Sequence, residues 1–358
     1  MSQSTGRHHR LLQALAIFGF LYFPFWGLAQ SPLAPPLTID LHSHDFPSRA
    51  EASSSWNVKN GLFYLSGDRL AVFFDRQLSG SRPDSHSFQI LTIDMKGLVH
   101  AKRVIPADPK NIDFSAGPGG GILIGKADGL DFYDADLELL RSSSLPKTAT
   151  SVKFDRKLNQ LVLSTINQEL NNRTAHFLDG KTLEELASLS YPLKSRAIFG
   201  ERQLAYILPG MCQGALHVEP THHNWTALDG LQACDALTFI GNEALAYALS
   251  QDLYVVDANG KQLFDGHIPA PDSFSLPSLV GLSDDDTRVA IMANMKRSLF
   301  SSHRGWQYYN EVFVYDLRAN HMIFKHVLAE GAYAAALSPD GRQLATVEEG
   351  ILKLFSIP

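Results

Sequence analysis

The chain has 358 residues, 45% of them hydrophobic and 19% charged, with a formal net charge of −6. That apolar fraction over this length is ample for a large buried core. The acidic balance argues against nucleic acid or an anionic membrane surface as a partner, because both require a basic patch.

Arg7, His8, His9 and Arg10 give the chain a positive start, and Leu11 to Leu28 is apolar apart from Gln13, Gly19, Pro24 and Gly27. Gly27-Leu28-Ala29 then places small residues at the −3 and −1 positions before Gln30. The pattern predicts a secretory signal peptide over residues 1–29. An uncleaved anchor is the alternative, since an apolar run of this length just spans a bilayer; Pro24, Gly27 and the small-x-small site favour cleavage. The expectation is a secreted or periplasmic protein with no membrane span after cleavage. Residues 30–36 form a stiff proline-rich lead, and residues 37–358 are expected to form a single domain.

From residue 37 onward the chain reads as strands. Leu37–Leu41 is a lone strand, followed by His42-Ser43-His44. Two histidines at this spacing resemble the first metal-binding strand of amidohydrolase barrels. That reading needs a parallel βα barrel downstream, and the chain has almost no helical pattern; the pair is expected to be the polar end of the strand, with both imidazoles on one face.

A repeat of about 45 residues then follows, a period that marks stacked-sheet architectures. Its copies open near Leu62, Ile112, Val152, Ala197, Leu237, Val280 and Ala335. Each has an apolar strand, a polar turn and a second apolar strand. Most add a third strand ending in Asp (Asp94, Asp134, Asp257, Asp316) and then a fourth. The last copy has three strands only. Pairing Leu37–Leu41 with it would supply the fourth and remove two exposed sheet edges. The fold expected is therefore all-β: a seven-bladed β-propeller closed by pairing of the N-terminal strand with the last blade.

Within the repeats, Gly117–Gly121 is a turn and not a phosphate loop, for it lacks the Lys-Ser/Thr ending and the helix. Thr182 to Leu189 is the only stretch with a short helical pattern. Asn172-Arg173-Thr174 and Asn224-Trp225-Thr226 match glycosylation acceptors. His217, Glu219, His222 and His223 carry zinc-type ligand chemistry, but Pro220 places them in a loop, so no metal site is expected. Cys212 and Cys234 follow the second strand of the fourth copy and precede the fifth; both connections emerge on one face of adjacent blades, which predicts a disulfide in an exported protein.

Two connections between second and third strands are longer than the rest: Leu78–Ser87, with Arg82, and Met295–Asn310, with Arg304, Trp306, Tyr308 and Tyr309. Aromatic and arginine side chains concentrate binding energy, so these five residues are the candidate binding set, on a face near the ring closure. No nucleophile elbow or carboxylate pair stands out.

The final copy, Leu337-Ser338-Pro339-Asp340-Gly341-Arg342-Gln343-Leu344-Ala345, resembles the hairpin of WD-like and TolB-type propeller repeats; Ser283–Ala290 keeps its outline. The resemblance implies a fold and no activity. The functional expectation is a binding or scaffold module without a cofactor, acting on an unknown protein or small-molecule ligand. A lactonase- or hydrolase-type enzyme with a site at the central channel is the alternative.

Overall fold

The computed structural model describes residues 35–46, 61–75, 87–106, 113–126, 129–144, 149–208, 213–218, 234–240, 244–249, 252–257, 261–267, 277–298, 306–329 and 332–358. These form seven antiparallel sheets, each of consecutive strands, with one exception at the chain's start. Sheet one holds Gly61–Tyr64, Arg69–Asp75, Ser87–Asp94 and Val99–Pro106, and sheet two Asp113–Ala116, Ile122–Gly125, Gly129–Tyr133 and Leu139–Ser144. Sheet three holds Ser151–Asp155, Gln160–Asn167, Asn172–Asp179 and Glu185–Pro192. Sheet four has three described strands, Arg196–Gly200, Gln203–Leu208 and Gln213–Val218. Sheet five holds Cys234–Ile240, Ala244–Leu249, Asp252–Asp257 and Gln262–His267. Sheet six holds Ser278–Leu282, Arg288–Ser298, Trp306–Asp316 and His321–Val327. Sheet seven joins Ala332–Leu337, Gln343–Glu348 and Ile351–Ser356 to Leu37–Asp40, which pairs antiparallel with the last of these, Leu37 opposite Leu354 and Asp40 opposite Ile351. Every opening of the sequence repeat falls in or beside the first strand of one sheet.

The burial pattern follows from where each strand sits. Middle strands pack on both faces against neighbouring sheets, so they are continuous apolar runs: Phe88 to Ile93 is buried at every position. Fourth strands alternate, as in Leu139–Ser144, because one side meets solvent. The core is a series of layers between consecutive sheets. Leu70, Val72 and Leu91 of sheet one pack with Ala345, Val347 and Leu352 of sheet seven, and Ile90 and Phe73 with Ile122 and Ile124 of sheet two. Val289, Ile291 and Phe313 of sheet six meet Ala246 and Val255 of sheet five. Close approach needs a glycine at Gly200, where an added Cβ would stand 2.9 Å from the Phe239 ring, and at Gly281, 2.9 Å from Leu337 Cβ.

Four expectations are corrected. The N-terminal strand ends at Asp40; His42–His44 is a 3-10 turn, so the two imidazoles do not share a strand face. His42 Nδ1 lies 2.9 Å from Asp40 Oδ1 and its ring covers Gly350. The helical pattern near Thr182 is a turn followed by the strand Glu185–Pro192, its apolar residues alternating across an outer edge. Met295–Asn310 is mostly not a loop: the second and third strands of sheet six extend into it, with Ser298 opposite Trp306. Cys234 begins the first strand of sheet five and is not in a connection.

Candidate binding site in the central lumen

Three of the first-to-second-strand turns share one chemistry. In the final hairpin Ser338 Oγ donates to Asp340 Oδ1 at 2.6 Å and accepts from Gln343 N at 2.9 Å. Asp340 also accepts from Arg342 N at 3.0 Å. Gly341 takes φ 70°, a left-handed conformation suited to glycine. Sheet six repeats the arrangement with Ser283, Asp285 and Arg288, and sheet one keeps Ser66 Oγ to Asp68 at 2.7 Å. At the other hairpin, Asp94 and Asp134 each accept two backbone N–H groups of the turn that follows, and Asp179 does the same in sheet three. Neighbouring sheets are stitched by side chains that reach across. Gln160 Nε2 donates to Gly200 O at 2.9 Å, Arg288 Nη1 to Gly341 O at 3.0 Å, and Arg103 Nη1 to Leu137 O at 2.6 Å.

These turns position a cavity of about 640 Å³, to which the first strand of every one of the seven sheets contributes. Its wall is largely apolar and aromatic, with Phe63, Phe199, Phe239 and Leu282 among the lining residues. Ser115, Lys153 and Thr238 add polar groups along its length, and charge gathers at the turn end, where Arg156 and Lys157 of sheet three meet Asp284 and Asp286 of sheet six. Arg156 Nη2 is 2.6 Å from Asp284 Oδ1, and Lys157 pairs with Asp286. Sheets three and six are not neighbours in sequence order, so these ion pairs cross the cavity mouth.

Deeper in, Lys153 projects from Ser151–Asp155. Its side chain is open to the lumen yet walled in by protein. The enclosure lowers the ammonium's pKa, opposed by the charge of Asp113. Its Nζ stands 5.9 Å from the centroid of the Phe199 ring. Asp155, two residues on and therefore on the same face of the strand, is shifted the other way. Burial raises its pKa and the Asp284 carboxylate adds to this, against the Leu158 and Lys157 N–H groups and the Lys157 charge. Two groups pushed in opposite directions on one strand of a cleft mark a candidate site.

The residues singled out from sequence fall elsewhere. Arg82 and Arg304 lie outside the described residues. Trp306 and Tyr308 are placed by backbone register alone, opposite Ser298 and Lys296, and Tyr309 packs against the core between sheets five and six. Both long connections leave the strand ends away from the ion-paired turns. Cys212, Glu219, His222 and His223 also lie outside the described residues. Among the described residues, no group of three or more His, Cys, Asp or Glu is placed to hold a metal, and no helix is long and apolar enough to cross a membrane.

Stacked four-strand antiparallel sheets whose first strands line a shared lumen define a β-propeller. One solved structure supports the fold: the hydrazine synthase of Kuenenia stuttgartiensis, a β-propeller, matches with a TM-score of 0.51 and 11% identity over 83% of this chain and 94% of that one. Hsv2 of Kluyvelomyces marxianus matches at a TM-score of 0.45 and 11% identity, over 69% of this chain and 72% of that one. KlHsv2 with its loop 6CD replaced by a Gly-Ser linker matches at 0.44 and 12%, over 80% and 92%. No protein-family model matches the chain, and no curated protein sequence is similar to it.

Proposed function

We propose that this chain is an exported seven-bladed propeller that binds a small-molecule ligand in its central lumen. The observation that carries the reading is the lumen itself: about 640 Å³, lined by aromatic and aliphatic side chains together with charged and polar ones. Ligand pockets have this size and composition. Seven blades are supported by seven hydrogen-bonded sheets, and closure by the pairing of Leu37–Asp40 with Ile351–Ser356 and the shared core of sheets one and seven. Export rests on the signal-like residues 1–29. A Cys212–Cys234 disulfide fits that compartment; the strand ends at Gln213 and Cys234 lie at the same end of adjacent sheets.

The enzyme alternative draws on one observation, the oppositely shifted Lys153 and Asp155, which is how acid–base pairs are tuned. Among the described lining residues no base stands beside a nucleophile to activate it, so binding is the better-supported reading. The test is a screen of small organic fragments by ligand-detected NMR on the native protein and on Ser115→Trp, which places an indole in the lumen. Fragments that bind the native protein and lose binding in a folded Ser115→Trp protein support the reading. Binding undiminished by the indole contradicts it.

A further inference from the structure

We infer that the lumen selects a small organic monoanion, a carboxylate on a flat aromatic or aliphatic body, with the Lys153 ammonium as its counter-ion. This rests on the lumen being the binding site and names the ligand chemistry that site would take.

The argument starts from charge balance within the cavity. Of the three lysine and arginine side chains that line it, Arg156 and Lys157 already hold Asp284 and Asp286 at the mouth. Among the described residues no carboxylate lies within ion-pair distance of Lys153. Its nearest charged influence, Asp113, also accepts from Val152 N at 3.1 Å through Oδ2. Lys153 is solvent-exposed and, among the described residues, holds no carboxylate, so its ammonium donors are open to an anionic ligand.

The surroundings then narrow the anion. Asp155 lines the same cavity two residues from Lys153, so a second negative charge on the ligand would be repelled. Phosphate groups also call for several converging donors, whereas among the described lining residues Lys153 is the one lysine or arginine outside an ion pair. A single carboxylate matches a single ammonium. The ligand's remaining surface faces Phe63, Phe199, Phe239 and Leu282. Aromatic walls favour a flat ring or an alkyl chain, through area burial and edge or face contacts.

The test compares phenylacetate with neutral phenylacetamide and dianionic phenyl phosphate, by titration calorimetry at pH 7. It uses the native protein, Lys153→Met and Lys153→Arg, with Ser115→Trp as the lumen-filled control. Methionine keeps the length and apolar stem of lysine and removes the charge, and both variants are expected to melt close to the native protein. Loss of a hydrogen bond to a charged group corresponds to roughly tenfold or more in affinity. The expected result is that phenylacetate binds the native protein at least roughly tenfold better than the other two, and that Lys153→Met erases this preference while Lys153→Arg retains it. Equal binding of phenylacetate and phenylacetamide, or a preference that survives in Lys153→Met, overturns the inference. If in those cases Ser115→Trp still abolishes binding, the lumen remains the site and only the anion selectivity fails. Binding of none of the probes to the native protein at millimolar concentration overturns the inference as well.

Discussion

Glu348 shows what a carboxylate looks like when it is structural. Its side chain is almost fully buried. Oε1 takes His326 Nε2 at 2.9 Å and Thr346 Oγ1 at 2.6 Å; Oε2 takes Lys353 Nζ and Ala329 N, both at 2.9 Å. Burial alone would raise its pKa, but these four donors outweigh it and hold the group down at about 2. A depressed carboxylate stabilises the fold above its unfolded pKa, and that stability is lost as the pH falls from about 4.5 toward about 2. Glu348→Ala leaves His326, Thr346, Ala329 N and the half-buried Lys353 without their shared acceptor and is expected to cost roughly 1–3 kcal/mol. Urea melts at pH 7 measure that loss, and repeating them at pH 3 should show the native and variant proteins drawing closer. Lys153 differs in kind, since no ion partner stands beside it. Nothing in the sequence distinguishes it from a surface lysine, because its enclosure depends on sheets that are distant in the chain. Arg156 and Lys157 are hidden for the same reason: their carboxylates lie more than a hundred positions away along the chain.

At the scale of the element, hairpin chemistry was the most legible feature. The Ser-x-Asp turn and the Asp that ends third strands act through bonds spanning a few residues, so their spacing is visible in a bare sequence. The same locality explains why Asp179 could have been added to that set: it stands at the end of a third strand, with Gly180 and Lys181 after it. Ser338→Ala removes the acceptor for Gln343 N and the donor to Asp340 inside a buried turn, and is expected to cost roughly 1–3 kcal/mol. Ser283→Ala should cost a similar amount in sheet six, measured by the same denaturant series, while Ser66→Ala, in a more exposed turn, should cost less. What misled the reading of Met295–Asn310 was also local. A run of basic and aromatic residues suggests a loop, yet Tyr308 and Tyr309 have high strand propensity and simply lengthen the hairpin. The helical pattern at Thr182–Leu189 failed similarly, since Glu185–Pro192 is held by pairing with Asn172–Asp179 and tertiary context overrides propensity.

At the scale of the whole molecule, the repeat period predicted an all-β propeller, because each sheet can bury its faces only against its neighbours. Leu41 is fully buried beside sheets one and seven, which ties the start of the domain to its end. A central channel was expected under the enzyme alternative, but the residues that line it were not legible. The lumen is made of one strand from each sheet, and it exists only once the sheets are arranged around a common axis. The most direct measurement of the central claim is a crystal structure of the protein soaked with phenylacetate. The account predicts a closed ring of seven sheets, with density for the ligand inside the lumen and its carboxylate beside Lys153. Density only on the outer surface or in the long connections, with an unliganded lumen, would contradict it.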